Sequence, residues 1–478
     1  MKKDDSKINL SIKNIHYYRN VSSFLILTLF LGLALIPELS ISYLFKDELK
    51  VEPSQLTRLL TIAKITWLIN PLFGIITDFY PIFGYKRKIY LFFSGIIFSA
   101  VWLLLGLLKV NIYLTVICFF ISNLTCCFST VLSQATMIEI GGKMDEIEEE
   151  EDKKHTNKLI TYNTIISNVG LLIGSYLKGE LIQLFNIRIV FIITSCLGIL
   201  PLISAIILKE LNYENNNNNN NNNITSSILS TSIETNEKEE SLLDYVTQKK
   251  FLVPFILFLI VATIPHTFDP YFYYEINYLN FKPVDFSKIV VINQIVALFV
   301  IYFCDKIECI STKYFFFLIR FTSTSSGFIL YLIYNNNYKK INIEPFYIIL
   351  FVTTIQYCFN QIFNIIIYKL SAKLTNKKFE ETVFATLTMT MNFGNIIGQF
   401  YGSILTDFVG ITRKDFSNFG KFIIIGNILS VFPSIFILLT PSSYFNPKNM
   451  KNEIILETNE KFEKQIESKD NEDDLLLS

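Results

Sequence analysis

Apolar residues gather into long continuous runs separated by short polar segments over most of this chain. A helix needs roughly 20 such residues to cross a bilayer. Runs of about that length fall at 21–45, 56–77, 88–108, 112–138, 158–180, 187–208, 251–275, 286–304, 313–334, 343–368, 382–407 and 419–440. They are continuous and lack the alternation of membrane β-barrel strands. The pattern predicts an all-α membrane protein of twelve transmembrane helices. One long polar stretch, 209–250, separates six runs from six; it holds the asparagine run Asn215–Asn223 and a Ser/Thr/Glu-rich continuation. Without a hydrophobic period it is expected to be a disordered linker. The expected organisation is a tail at 1–20, a six-helix bundle at 21–208, the linker at 209–250, a second bundle at 251–440 and an acidic tail at 441–478. Residues 1–20 are charged and lack a small-residue cleavage site, so the first run is expected to be an uncleaved anchor.

Composition agrees: 51% of the 478 residues are hydrophobic and the mean hydropathy is +0.39, too apolar for a soluble chain of this length. The zero net charge hides an asymmetry. Of 42 Lys and Arg, 27 fall in segments on the side of the termini and 13 on the other. The positive-inside rule then places both termini in the cytosol. A plasma membrane is expected, with an organellar one as the alternative. The seven cysteines (Cys118, Cys126, Cys127, Cys196, Cys304, Cys309, Cys358) lie within runs or on that cytosolic side, so extracellular disulfides are not expected. The aromatic excess, 44 Phe among it, reads as a genome bias and not as a base-stacking surface; no nucleic-acid partner is expected.

The halves repeat. Asn168-Val-Gly170-Leu-Leu-Ile-Gly174 in the fifth run and Asn392-Phe-Gly394-Asn-Ile-Ile-Gly398 in the eleventh both read N-x-G-x-x-x-G, 224 residues apart. Asp78 and Asp305-Lys306 close the second and eighth runs, 227 apart. Parallel six-helix repeats of this kind are one of the architectures of secondary carriers. Gly394, Gly398 and Gly402 line one helix face, where small residues let helices approach closely; Gly170 and Gly174 do the same in the first half.

Between the second and third runs stands Trp67-Leu-Ile-Asn70-Pro71-Leu-Phe-Gly74-Ile-Ile-Thr77-Asp78-Phe-Tyr-Pro81-Ile-Phe-Gly84-Tyr85-Lys86-Arg87-Lys88-Ile-Tyr90. The first external loop reads Ser42-Tyr43-Leu-Phe-Lys46-Asp47, running on to Pro53 and Gln55. The seventh run exits through Pro270-Tyr-Phe272-Tyr273, and Glu381-Thr382-Val-Phe384-Ala385 enters the eleventh. Together these resemble the folate–biopterin transporter family of the major facilitator superfamily. The resemblance implies two six-helix halves and a secondary active carrier for folate, pterin or a related organic anion, working by alternating access with H+, without a cofactor. A monomer in the lipid bilayer is expected. Two positions depart from the family pattern: its lysine in the second run is Asn70 here, and its aspartate in the fourth is Gln134, with Glu139 retained.

Ionisable residues inside a membrane are functional candidates by default: Glu38, Lys64, His266, Asp269 and Arg320. Arg320 is expected to snorkel to the interface, and Glu275 and Glu180 to be solvated at external helix ends. His266 and Asp269, three residues apart beside Pro265 and Pro270, are candidates for proton exchange. Glu38 and Lys64 sit at equal depth on adjacent antiparallel helices and are expected to face each other. Asn70, Gln134, Tyr273, Asn360 and Gln361 are uncharged pocket candidates. Asp78 with Lys86, Arg87, Lys88 and Asp305 is expected to form a cytosolic gate. Nothing in the chain has the spacing of a phosphate loop, a metal cluster or a nucleophile with its base, so neither catalysis nor a metal is expected. The alternatives are a carrier of another small metabolite, such as an amino acid, and a transport-inactive membrane receptor or structural protein.

Overall fold

The computed structural model describes residues 2–147, 154–210, 249–265, 267–304, 313–334, 338–374 and 380–441. The first run folds as α1 (Lys2–Leu33) and α2 (Ile36–Tyr43), and the second as α3 (Pro53–Lys64) and α4 (Asn70–Phe79). Next come α5 (Lys88–Leu107), α6 (Ile112–Ile147), α7 (Lys154–Leu184) and the pair α8 (Ile187–Cys196) and α9 (Ile199–Ile207). The seventh run is α10 (Lys249–Ala262) and α11 (Phe268–Asn277). The rest are α12 (Pro283–Cys304), α13 (Lys313–Ser325), α14 (Pro345–Leu374), α15 (Glu380–Val409) and α16 (Phe419–Leu439). Among the described residues there is no β-strand, only an isolated bridge between Ile82 and Tyr85. That turn needs positive φ at Phe83 and Gly84 (51° and 76°), a region glycine enters without steric cost, and it delivers Lys86–Lys88 to the start of α5.

Nine helices among the described residues are long and apolar enough to cross a membrane: Tyr17–Glu48, Lys88–Leu107, Ile112–Gly141, Thr161–Leu184, Ile187–Ile207, Pro283–Val300, Lys313–Tyr334, Pro345–Asn364 and Phe419–Leu439. The other three of the twelve expected runs, the second, seventh and eleventh, are helical but interrupted or polar. Pro71 cannot donate the backbone bond that would carry the helix through Asn70, and residues Ile65–Leu68 tighten into a 3-10 turn. The helix of the seventh run stops at Ala262, and residues 263–265, ending in Pro265, are not helical. The eleventh, α15, is unbroken but carries Asn392, Asn395, Gln399 and Asp407.

Close glycine contacts hold the helices. A Cβ on Gly32 would stand 2.7 Å from Gly170 Cα, and one on Gly170 would stand 3.0 Å from the Leu29 carbonyl, so α1 and α7 touch backbone to backbone. In the second half a Cβ on Gly394 would stand 2.5 Å from Ala262 Cβ and 2.9 Å from the Leu259 carbonyl. Gly174 and Gly398 make the same approach one turn on, to the Gly32 and Ile264 carbonyls; Gly402 is buried. The chain forms two compact units. The first comprises Met1–Lys238, His266–Gln294 and Gln399–Phe419. It contains the ring series Phe30, Phe98, Trp102 and Phe191 and a cluster of Phe24, Met137, Ile140 and Leu159. The second comprises Glu239–Pro265, Ile295–Gly398 and Gly420–Ser478; its core includes Leu257, Phe258, Val261, Phe316, Phe363 and Ile437.

Candidate functional site

Within the first unit, Arg19 and Asn20 of α1 donate to the carbonyls of Ile207 and Lys209 at one face. At the opposite, far face a polar cluster joins α3, α11 and α15, parts of the three runs that are broken or polar. Asp269 is 7% exposed, and its Oδ2 accepts from Thr57 Oγ1 at 2.7 Å. A hydrogen bond to an ionised carboxylate contributes about 1.5–3 kcal/mol. One turn deeper, Thr61 Oγ1 lies 3.0 Å from Gln399 Oε1. Arg58 donates through Nε to Ser403 Oγ at 2.5 Å and forms an ion pair with Asp407. Tyr273 donates its hydroxyl to the Val51 carbonyl at 2.6 Å, with the Lys46 ammonium 5.8 Å from its ring centre. Glu52 accepts from the Arg413 backbone N–H at 2.6 Å, and Asn277 Nδ2 donates to the Arg413 carbonyl at 3.2 Å. Tyr274 stacks on Phe419 with ring centres 4.2 Å apart.

Sequence reasoning named Asp269 and Tyr273 here but not their partners. The signal was present: Gln399, Ser403 and Asp407 recur at four-residue spacing along α15, as Thr57 and Thr61 do on α3, which places each set on one helix face. Glu275, expected to be solvated, is 8% exposed. Tyr43 and Tyr271 lie within its electrostatic range. Glu38 and Lys64 are half-buried. They make no ion pair with each other; both lie within electrostatic range of Asp269. His266 lies outside the described residues.

At the face that holds Arg19 and Asn20, the Glu210 carboxylate accepts the backbone N–H groups of Lys86, Arg87 and Lys88 at 3.1, 3.1 and 3.2 Å. It caps the N-terminus of α5, where free N–H groups and the helix dipole favour an anion. Arg87 forms an ion pair with Glu139. The expected gate partners Asp305 and the Asp78 side chain lie outside the described residues. Asn70 Oδ1 accepts from Cys127 Sγ, which also faces the Thr66 carbonyl; Gln134 is exposed.

In the second unit Arg320 does not snorkel. It is 8% exposed, with Nη1 donating to Asn360 Oδ1 at 2.7 Å and Nη2 to the Val261 carbonyl at 2.9 Å. The Phe363 ring centre lies 4.7 Å from the guanidinium carbon, within cation–π range. These neutral partners replace the interface that a snorkelling side chain would seek. Among the described residues no group of three or more His, Cys, Asp or Glu could hold a metal ion.

Against known proteins, a model described as the BT1 family matches residues 31–457. The folate-biopterin transporter of Synechocystis sp. is 24% identical over 424 residues, 86% of this chain and 79% of that protein. Folate transporter 1 of Plasmodium falciparum is 27% identical over 458 residues, 91% of this chain and 82% of that one. Among solved structures, a D-xylose-proton symporter aligns with a TM-score of 0.61 at 13% identity, covering 90% of this chain and 98% of that one. The nucleoside transporter NupG aligns at 0.60 and 13%, covering 89% and 99%. The fold is that of the major facilitator carriers.

Proposed function

We propose that this chain, which belongs to the BT1 family of folate–biopterin transporters and is a multi-pass membrane transporter, carries folate, pterin or a related organic anion by alternating access. The observation that carries this reading is the far-face cluster. Segments from distant parts of the sequence are joined there by single hydrogen bonds, ring contacts such as Tyr274–Phe419, and one half-exposed ion pair, Arg58–Asp407, whose side chains are 41% and 49% exposed. Exposed pairs of this kind contribute up to about 1 kcal/mol, enough to bias a two-state equilibrium without freezing it. With both termini in the cytosol, as the Lys and Arg asymmetry favours, the far face is the external one and the cluster is an external seal. Closure at the cytosolic end falls to Asp78, Lys86, Arg87, Lys88 and Asp305. Protons couple through His266 and Asp269, with Thr57 holding the carboxylate when the seal is shut.

A second reading, a carrier of another small metabolite, draws on Asn70 and Gln134, neutral amides where the family pattern is charged. Uptake of radiolabelled folate, pterin and p-aminobenzoate into liposomes holding the purified chain under an imposed pH gradient tests the first against the second. Accumulation above equilibrium that collapses with a protonophore is expected. Uptake no greater than in protein-free liposomes for all three would refute this cargo.

A further inference from the structure

Arg58, Arg87 and Arg188 each have an acid: Asp407, Glu139 and Glu48 respectively. Arg320 has none among the described residues, although it is the most deeply buried of the four. Its own helix α13 and the two helices whose residues it touches, α10 and α14, contain no Asp or Glu. Its partners are an amide oxygen, a backbone carbonyl and a ring face. Those contacts fix the guanidinium plane, and Phe363 is itself stacked on Phe316, ring centres 4.6 Å apart. Among the described residues nothing compensates its charge.

The donor inventory is unbalanced in the same direction. A guanidinium has five N–H donors and no acceptor. Two of its nitrogens have partners here, while Nε is buried with none. Asn360 uses its oxygen for Arg320 and for Ser323 Oγ at 3.3 Å, which leaves its amide N–H₂ to donate. A buried cation beside surplus donors, with no acid, matches a ligand that is negative and only accepts hydrogen bonds. A carboxylate has both properties, and an arginine fork binds it with two parallel bonds.

We propose that Arg320, with Asn360, binds the carboxylate of the transported solute and so selects organic anions over their neutral analogues. This rests on the carrier reading above and narrows its cargo to carboxylates such as folate, since a pterin without a carboxylate would not engage the site. The test uses thermal unfolding of the purified full-length chain with folate, with p-aminobenzoate and with its uncharged amide, 4-aminobenzamide, alongside Arg320→Gln. The wild type should be stabilised by the two carboxylates and not by the amide. Arg320→Gln should unfold no earlier than wild type without ligand, because an unpaired buried charge has gone. Its half-saturating carboxylate concentration should rise by at least about tenfold, the loss of a charge-assisted bond. Should Gln leave too little folded protein, Arg320→Lys keeps the charge but loses the fork, and a carboxylate response weakened several-fold is expected.

Equal stabilisation by acid and amide, no carboxylate response in the wild type, or wild-type affinity in either variant would overturn the site. A carboxylate response that depends on Arg320, in a chain that transports none of the tested solutes, would sink the cargo reading and leave the site standing.

Discussion

Arg58 and Arg320 are both arginines on membrane helices, and they are held in opposite ways. Arg58 sits half-exposed in the far-face cluster of the first unit, with Asp407 as its acid and Ser403 beside it. Arg320 is buried in the second unit among neutral groups. An exposed ion pair is weak and reversible because water replaces either partner at little cost. A buried cation without an acid is costly in a membrane, about 2.5–3.5 kcal/mol on insertion scales, and stays in a fold when something else requires it. On the proposed reading the contrast separates two tasks of a carrier: contacts that break during transport, and a site that waits for its ligand.

The sharpest way to break this contrast is to give Arg320 a resident acid. Asn360→Asp should raise the thermal unfolding temperature while reducing uptake of a carboxylate solute at least about tenfold, as an internal carboxylate competes for the fork. Unchanged uptake would return Arg320 to a structural role. Next in size, Thr57→Val removes the bond to Asp269. The loss of about 1.5–3 kcal/mol should open the far face, read as faster labelling of single cysteines there by a membrane-impermeant thiol reagent. Labelling at the wild-type rate would show that this bond does not hold the cluster shut.

Asp269→Asn addresses the proton. Accumulation driven by a pH gradient should be lost while counterflow, which moves no net charge or proton, persists; a mutant that still concentrates solute with an unchanged pH profile would remove Asp269 from coupling. The smallest effect belongs to the exposed pair. Arg58→Gln should shift the labelling rate by no more than about fivefold, the equivalent of 1 kcal/mol, and the swap Arg58→Asp with Asp407→Arg should restore part of it.

The scaffold was readable from the pattern, because hydrophobic period and glycine spacing are local properties. The repeat N-x-G-x-x-x-G places Gly170 and Gly394 224 residues apart, and each meets an equivalent stretch, Leu29–Gly32 and Leu259–Ala262. The cluster was half readable. Asp269 stands out as a charge in an apolar run, but Thr57, Gln399 and Ser403 are neutral, and the contacts Thr57–Asp269 and Thr61–Gln399 span 212 and 338 residues. Glu275 was misplaced because its position at a helix end says nothing of what other segments bring near it, Tyr43 among them. Arg320 was misplaced for a related reason: depth along a helix suggested snorkelling, whereas Asn360, Val261 and Phe363 are neighbours that only tertiary packing supplies.

The claim that the far-face contacts must break during transport can be met directly by locking them. In a background with the seven native cysteines replaced by serine, Arg58→Cys and Asp407→Cys are joined by a short reducible bifunctional thiol reagent after reconstitution. The account predicts that solute uptake stops on cross-linking and returns on reduction, with each single-cysteine control unaffected by the reagent. Uptake that continues at the uncross-linked rate in fully linked protein would contradict it.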